Sequence, residues 1–150
     1  MKGIAARIKA LRNESGKTDV EVADLLELSI YEYGDLESYD KEIIDVVSVK
    51  TAARLARLYN QSLLQLLVPE KEMWPKEHLS EKQLAEKAKA LMMQKGLSQE
   101  EAEDQVGWFL ESFLANPRAY VEENPIMFLQ DLSRFIGINW LSSISNSVDS

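Results

Sequence analysis

Apolar residues recur along this chain at intervals of three and four, and period-two alternation is rare, so the pattern predicts helices almost throughout. The first holds Ile4, Ile8 and Leu11 on one face, with Lys2, Lys9 and Arg12 elsewhere, and stops at Gly16. Thr18 and Glu21 form a capping box that opens a second helix carrying Val22, Leu25 and Leu26. Ser29 and Glu32 form another box, so a third short helix follows after a tight turn. Tyr33 and Leu36 are its inward face. Residues 39–47 have mixed character and read as loop. An amphipathic helix then turns Ala52, Leu55, Ala56 and Tyr59 inward, with Asn60 as a left-handed terminator, and Ser62 opens a last short turn.

Residues 68–78 contain two of the four prolines and read as a boundary between segments. Beyond it, Ser80 with Gln83 forms a capping box, Leu79 with Leu84 a hydrophobic staple, and the helix runs to Gly96. Ser98 with Glu101 starts the next helix. Val106, Phe109, Leu110, Phe113 and Leu114 form its apolar stripe as far as Asn116-Pro117. Asn124-Pro125 caps another, which Gly137 ends, and residues 138–141 add a final turn. The polar residues from Ser142 onward are expected to be loose. The fold class read from this pattern is all-α. Its divisions are a unit over 1–67, a linker over 68–78, a helical extension over 79–145 and a tail over 146–150.

Composition narrows the chemistry. The 150 residues suit one compact domain or two small ones, and 45% hydrophobic content is enough to build a core. There is no cysteine and only one histidine, His78. Disulfides, thiol nucleophiles, thiolate metal sites and histidine triads are therefore excluded. No apolar run reaches the roughly 18 residues of a membrane span. Arg7, Lys9 and Arg12 interrupt the N-terminal apolar pattern, unlike a signal peptide, so a soluble cytoplasmic protein is expected. No carboxylate pair is set apart for acid/base work, and neither an enzyme nor a cofactor or metal is read from the chain.

Ile8, Leu11, Arg12, Gly16, Thr18, Glu21, Ala23, Leu26, Ser29, Leu36 and Glu37 stand in a single ungapped register. On these residues, 3–67 resemble the DNA-binding domain of the Xre/Cro family of phage and bacterial repressors. The stretch from Ser48 to Leu67 is similar to that family's two closing helices, after a longer loop than usual. The extension resembles no named family. The resemblance implies a five-helix repressor-like helix-turn-helix domain and a transcriptional regulator or antitoxin-like protein. It also implies duplex DNA as a partner, binding as a homodimer with the extension as dimer contact, and an ion pair between Arg12 and Glu37.

In such domains the third helix enters the major groove and the start of the second grips a phosphate. Reading bases there takes Arg, Lys, Gln or Asn. This chain instead offers Ile30, Tyr31, Glu32 and Asp35, with Asp19 where the family usually has glutamine. Lys17 and Lys41 remain as phosphate contacts. A carboxylate about 5 Å from a phosphate, at an effective dielectric near 20, costs roughly 3 kcal/mol. A few such residues erase the ~4–10 kcal/mol that separates specific from non-specific binding. Glu27, where the family usually has glycine, is expected to remodel the turn.

The net charge of −8 conceals this polarisation. Residues 14–45 hold 11 acids against two lysines, whereas residues 46–67 carry a net +3. Two readings stay open: a DNA-binding regulator weakened by an acidic recognition helix, or an acidic protein-binding module. The second would be an antitoxin or immunity protein neutralising a basic partner such as a nuclease toxin. The remaining signals are bland. Gly16-Lys-Thr18 lacks the rest of a phosphate loop, and His78 has no second ligand at metal spacing. The acids at 100, 101, 103 and 104 read as a solvated first turn. Met92, Met93, Phe109 and Phe113 read as core.

Overall fold

Serine and threonine caps set most of the helix starts. In the computed structural model, which describes residues 3–146, the elements are α1 (Ile4–Ser15), α2 (Asp19–Leu25), α3 (Ile30–Ser38), α4 (Glu42–Asp45), α5 (Val49–Leu58), α6 (Leu63–Leu67), α7 (Glu81–Lys95), α8 (Gln99–Val106), α9 (Glu111–Ala115), α10 (Pro117–Glu123) and α11 (Ile126–Ile136). Short 3-10 turns cover Lys71–Met73 and Trp140–Ser143. Complete capping boxes open α2, α3, α6, α7 and α8, where a serine or threonine hydroxyl accepts the third N–H and a Glu or Gln side chain returns the bond. Among the described residues the fold is all-α, with one isolated bridge between Ser48 and Pro125.

The first three helices pack as α1 and α2 against α3. Their core is aliphatic (Ile4, Ile8, Val22, Leu26 and Leu36), and Ala23 lies buried where α2 approaches α3. A polar network threads this core. Arg12 Nε donates to Glu37 Oε2 at 2.6 Å and Nη2 donates to Oε1 at 3.1 Å, the paired geometry of a guanidinium on a carboxylate. The Tyr33 and Tyr59 hydroxyls meet at 3.1 Å, and Tyr33 also bonds Glu37. Helices α1, α3 and α5 are thereby joined by one chain of polar contacts. Burial opposes the Glu37 charge, but the Arg12 and Tyr33 bonds outweigh it and hold its carboxyl below the ordinary value.

The second half is held by aromatic rings. Phe128 of α11 lies edge-on to Trp108, Phe113 and Tyr120, with centroids 5.3, 5.1 and 4.9 Å away. The Trp108 indole N–H donates to Asp131 at 2.9 Å. Helix α11 also packs against α4, and α10 against α5, so buried apolar residues run without a break from Ile4 to Ile144. Backbone bonds across the halves reinforce this: Val49 N–H to Asn124 C=O at 2.8 Å, and Leu64 N–H to Ser145 C=O at 3.1 Å. The segment 68–78 is tied down by Trp74, whose indole N–H donates to the Val68 carbonyl at 2.6 Å.

Several local expectations are corrected. The helix begun at Ser98 stops at Gly107, whose φ of 86° is left-handed, and the chain re-enters helix at Glu111. Pro117 opens α10 at its first position instead of ending a helix. This break in phase leaves Phe109 83% exposed while Phe113 is buried. Met93, expected inside, is exposed. The loop at 39–47 contains the one-turn α4. Residues 142–146 are anchored: Ile144 is buried and Asn146 accepts from Ser62. The rest of the expected loose tail, 147–150, lies outside the described residues, as does Lys2.

Candidate nucleic-acid or protein interface

The outer face of α2 and α3 is the surface to which the sequence assigned binding. Two capping boxes dictate its backbone. Thr18 accepts from Glu21 N–H, and Ser29 accepts from Glu32 N–H, both at 3.1 Å. Between the boxes Glu27 has a φ of 59°, so the glutamate itself takes up the left-handed conformation in place of the remodelled turn that was expected. Its carboxylate lies 3.8 Å from Arg54 of α5.

On this frame the predicted residues separate into three groups. Ile30, Tyr31 and Asp35 point to solvent from α3, with Tyr31 83% exposed. Glu32 and Asp19 are engaged by their own helices: Glu32 accepts from Ser29 N–H at 2.9 Å, and Asp19 accepts from Val20 N–H at 2.9 Å. The cap bonds, from backbone first and then from the hydroxyl, hold the Glu32 carboxyl below its ordinary value. Lys17 and Lys41 form the third group. Lys17 is half-buried, and its charge favours that of Glu21, while Lys41 is exposed at the start of α4. Arg12 and Glu37 lie beneath the face, in the core network, rather than on it.

The pattern did not single out the other exposed apolar side chains here. Val20 and Leu25 of α2 are each 54% exposed, and Tyr39 and Val46 flank α4. Val20 was legible as an apolar residue out of phase with the buried Val22 and Leu26. Tyr39 and Val46 sit in a stretch without periodicity and carried no signal. Glu42 was also missed. Burial first, and then the charges of Asp35, Glu32 and Asp45, push its carboxyl above the ordinary value. The outer ends of α3 and α4 therefore share a field of mutually repelling carboxylates.

No group of three or more His, Cys, Asp or Glu among the described residues is placed to hold a metal ion. No helix of the described residues is long and apolar enough to cross a membrane. The chain matches no protein-family model, no curated protein and no solved structure.

Proposed function

We propose that this chain is an antitoxin-like protein on a repressor-type helix-turn-helix framework, whose α2–α3 face binds a basic protein partner. One observation carries the reading. The second half packs on α4 and α5 and leaves exposed an α3 face of Ile30, Tyr31 and Asp35, with Glu32 and Glu42 adjoining it. An exposed aromatic flanked by aliphatic residues and carboxylates is the anchor-and-rim chemistry of a protein interface. A phosphate backbone would meet repulsion from the same carboxylates. A nuclease toxin, whose own cleft attracts phosphate, presents the complementary charge.

The second reading is a DNA-binding transcriptional regulator. The family resemblance of residues 3–67 favours it, while the Arg12–Glu37 pair supports only the framework that both readings share. Titration of random and genomic duplex DNA at about 50 and 200 mM salt separates the two readings. Capture from the host, followed by binding of the purified partner, completes the test. The expected outcome is weak DNA binding even at low salt, together with a basic partner whose affinity falls about tenfold or more in Tyr31→Ala. Tight DNA binding with a steep salt slope would overturn the protein-partner reading.

A further inference from the structure

The aromatic cluster of the second half reaches the surface in one loop, Gly107 to Leu110, between α8 and α9. Three hydrogen bonds to three different helices hold that loop. Glu103 of α8 accepts from Leu110 N–H at 2.6 Å, Asp131 of α11 accepts from the Trp108 indole, and the Tyr120 hydroxyl of α10 donates to the Phe109 carbonyl at 3.4 Å. Trp108 and Tyr120, both half-buried, press their rings on the buried Phe128, and Leu110 is buried beside them. Phe109 turns outward from this fastened backbone and is 83% exposed. Covering its ring therefore costs little further backbone entropy. The surroundings carry charge of one sign. Residues 96–117 hold five acids and neither lysine nor arginine. Asp104 and Glu111, exposed at the two ends of the loop, form no ion pair among the described residues. Arg134 of α11 is paired with Asp131, the residue that holds Trp108.

We propose that the Phe109 loop is a docking point for a basic segment of a protein partner, with an arginine side chain laid across the ring. The face of the ring attracts a cation, and a guanidinium stacks flat on it. Trp108 and Tyr120 stand beside Phe109 and extend the apolar floor on which the methylene stem of the arginine lies. Asp104 and Glu111 answer the neighbouring cations of the segment. A neutral segment leaves these two carboxylates without a counter-charge, and an acidic one is repelled by them. Aromatic residues exposed over a rigid support are also the usual anchors of protein interfaces. Tyr31 of α3 offers the same chemistry in the first half, being equally exposed among carboxylates. Binding at Phe109 does not depend on what the α2–α3 face contacts.

Titration of the full chain by heteronuclear NMR with a hexa-arginine amide peptide, at about 50 mM salt, tests the assignment. Saturable shifts are expected at Gly107, Phe109 and Glu111, with an affinity of about 1 mM or tighter. Phe109→Ala removes an exposed ring, so the fold should be retained and the affinity at this loop should fall about threefold or more. The double variant Asp104→Asn/Glu111→Gln, also at exposed positions, should lose about as much. A hexalysine peptide should bind about twofold more weakly, because an ammonium cannot stack on the ring. Tyr31→Ala should leave the affinity at this loop unchanged, which separates the site from the α2–α3 face. Absence of saturable shifts at residues 107–111 up to about 10 mM peptide would overturn the proposal. So would unchanged affinity in Phe109→Ala with a native spectrum.

Discussion

The two halves of this molecule stabilise their interiors by different means. Around α1–α3 the core is aliphatic and includes a charged network, in which Arg12 and Glu37 are bridged to Tyr33 and Tyr59. Around α8–α11 the aliphatic core takes in a cluster of four aromatic rings in edge-to-face contact, with Phe113 and Phe128 buried and Trp108 bonded to Asp131 at its margin. The first arrangement depends on protonation states and on a particular geometry of donors. The second depends on filled volume. The half that exposes the acidic α2–α3 face is thereby fastened from beneath by directional bonds, whereas the half packed against it is fastened by shape.

The largest expected effect breaks the aromatic side. Phe128→Ala removes a buried ring with three ring neighbours, and a loss of about 4 kcal/mol in urea unfolding is expected, independent of pH. Next comes the polar side. Glu37→Gln leaves the mostly buried Arg12 guanidinium without its counter-charge, and the same measurement should lose about 3 kcal/mol. A loss well under 1 kcal/mol there would show that solvent reaches the pair and that the contrast is false.

Acid sharpens the comparison. Glu21, Glu32, Glu37 and Asp40 all have folded-state pKa values below their ordinary ones. Their stabilisation is present above the ordinary carboxylate range, near pH 4, and is lost as pH falls through the folded values. Glu42 acts in the opposite sense: its raised pKa contributes below the ordinary value and is lost as pH rises through the folded one. Urea midpoints should therefore decline between about pH 5 and pH 3, with backbone amides of α1–α3 losing exchange protection before those of α11. Simultaneous loss in both halves would contradict the division. The smallest effect is at the turn. Glu27→Gly relieves a left-handed glutamate, and a gain of about 0.5–1 kcal/mol is expected, offset by the lost Arg54 contact.

Legibility followed the range of the interactions. Capping boxes span three residues, so the starts of α2, α3, α7 and α8 were readable directly from Thr18, Ser29, Ser80 and Ser98. The inward faces of α3 and α5 followed from the helical period, and Tyr33, Ala52 and Leu55 are buried. Phe109 was misread because a single left-handed residue, Gly107, resets the phase of an otherwise continuous apolar stripe. On the candidate face, Ile30, Tyr31 and Asp35 were readable. The Tyr33–Tyr59 contact depends on which helices meet, and no short-range pattern encodes that.

Helix α1 differs from the capped helices in one respect. Its first residues have no side-chain cap of their own; instead, Asp40 reaches back from the end of α3 and accepts from Gly3 N–H at 3.1 Å and Ala5 N–H at 3.0 Å. The start of α1 is therefore satisfied only by a residue that follows it in the chain and is made after it. During synthesis α2 and α3 carry their own start signals, whereas the beginning of α1 frays until the chain has emerged past Asp40. The start of α1 is thus fixed by completion of the three-helix unit, and its amide protection reports whether that unit has closed.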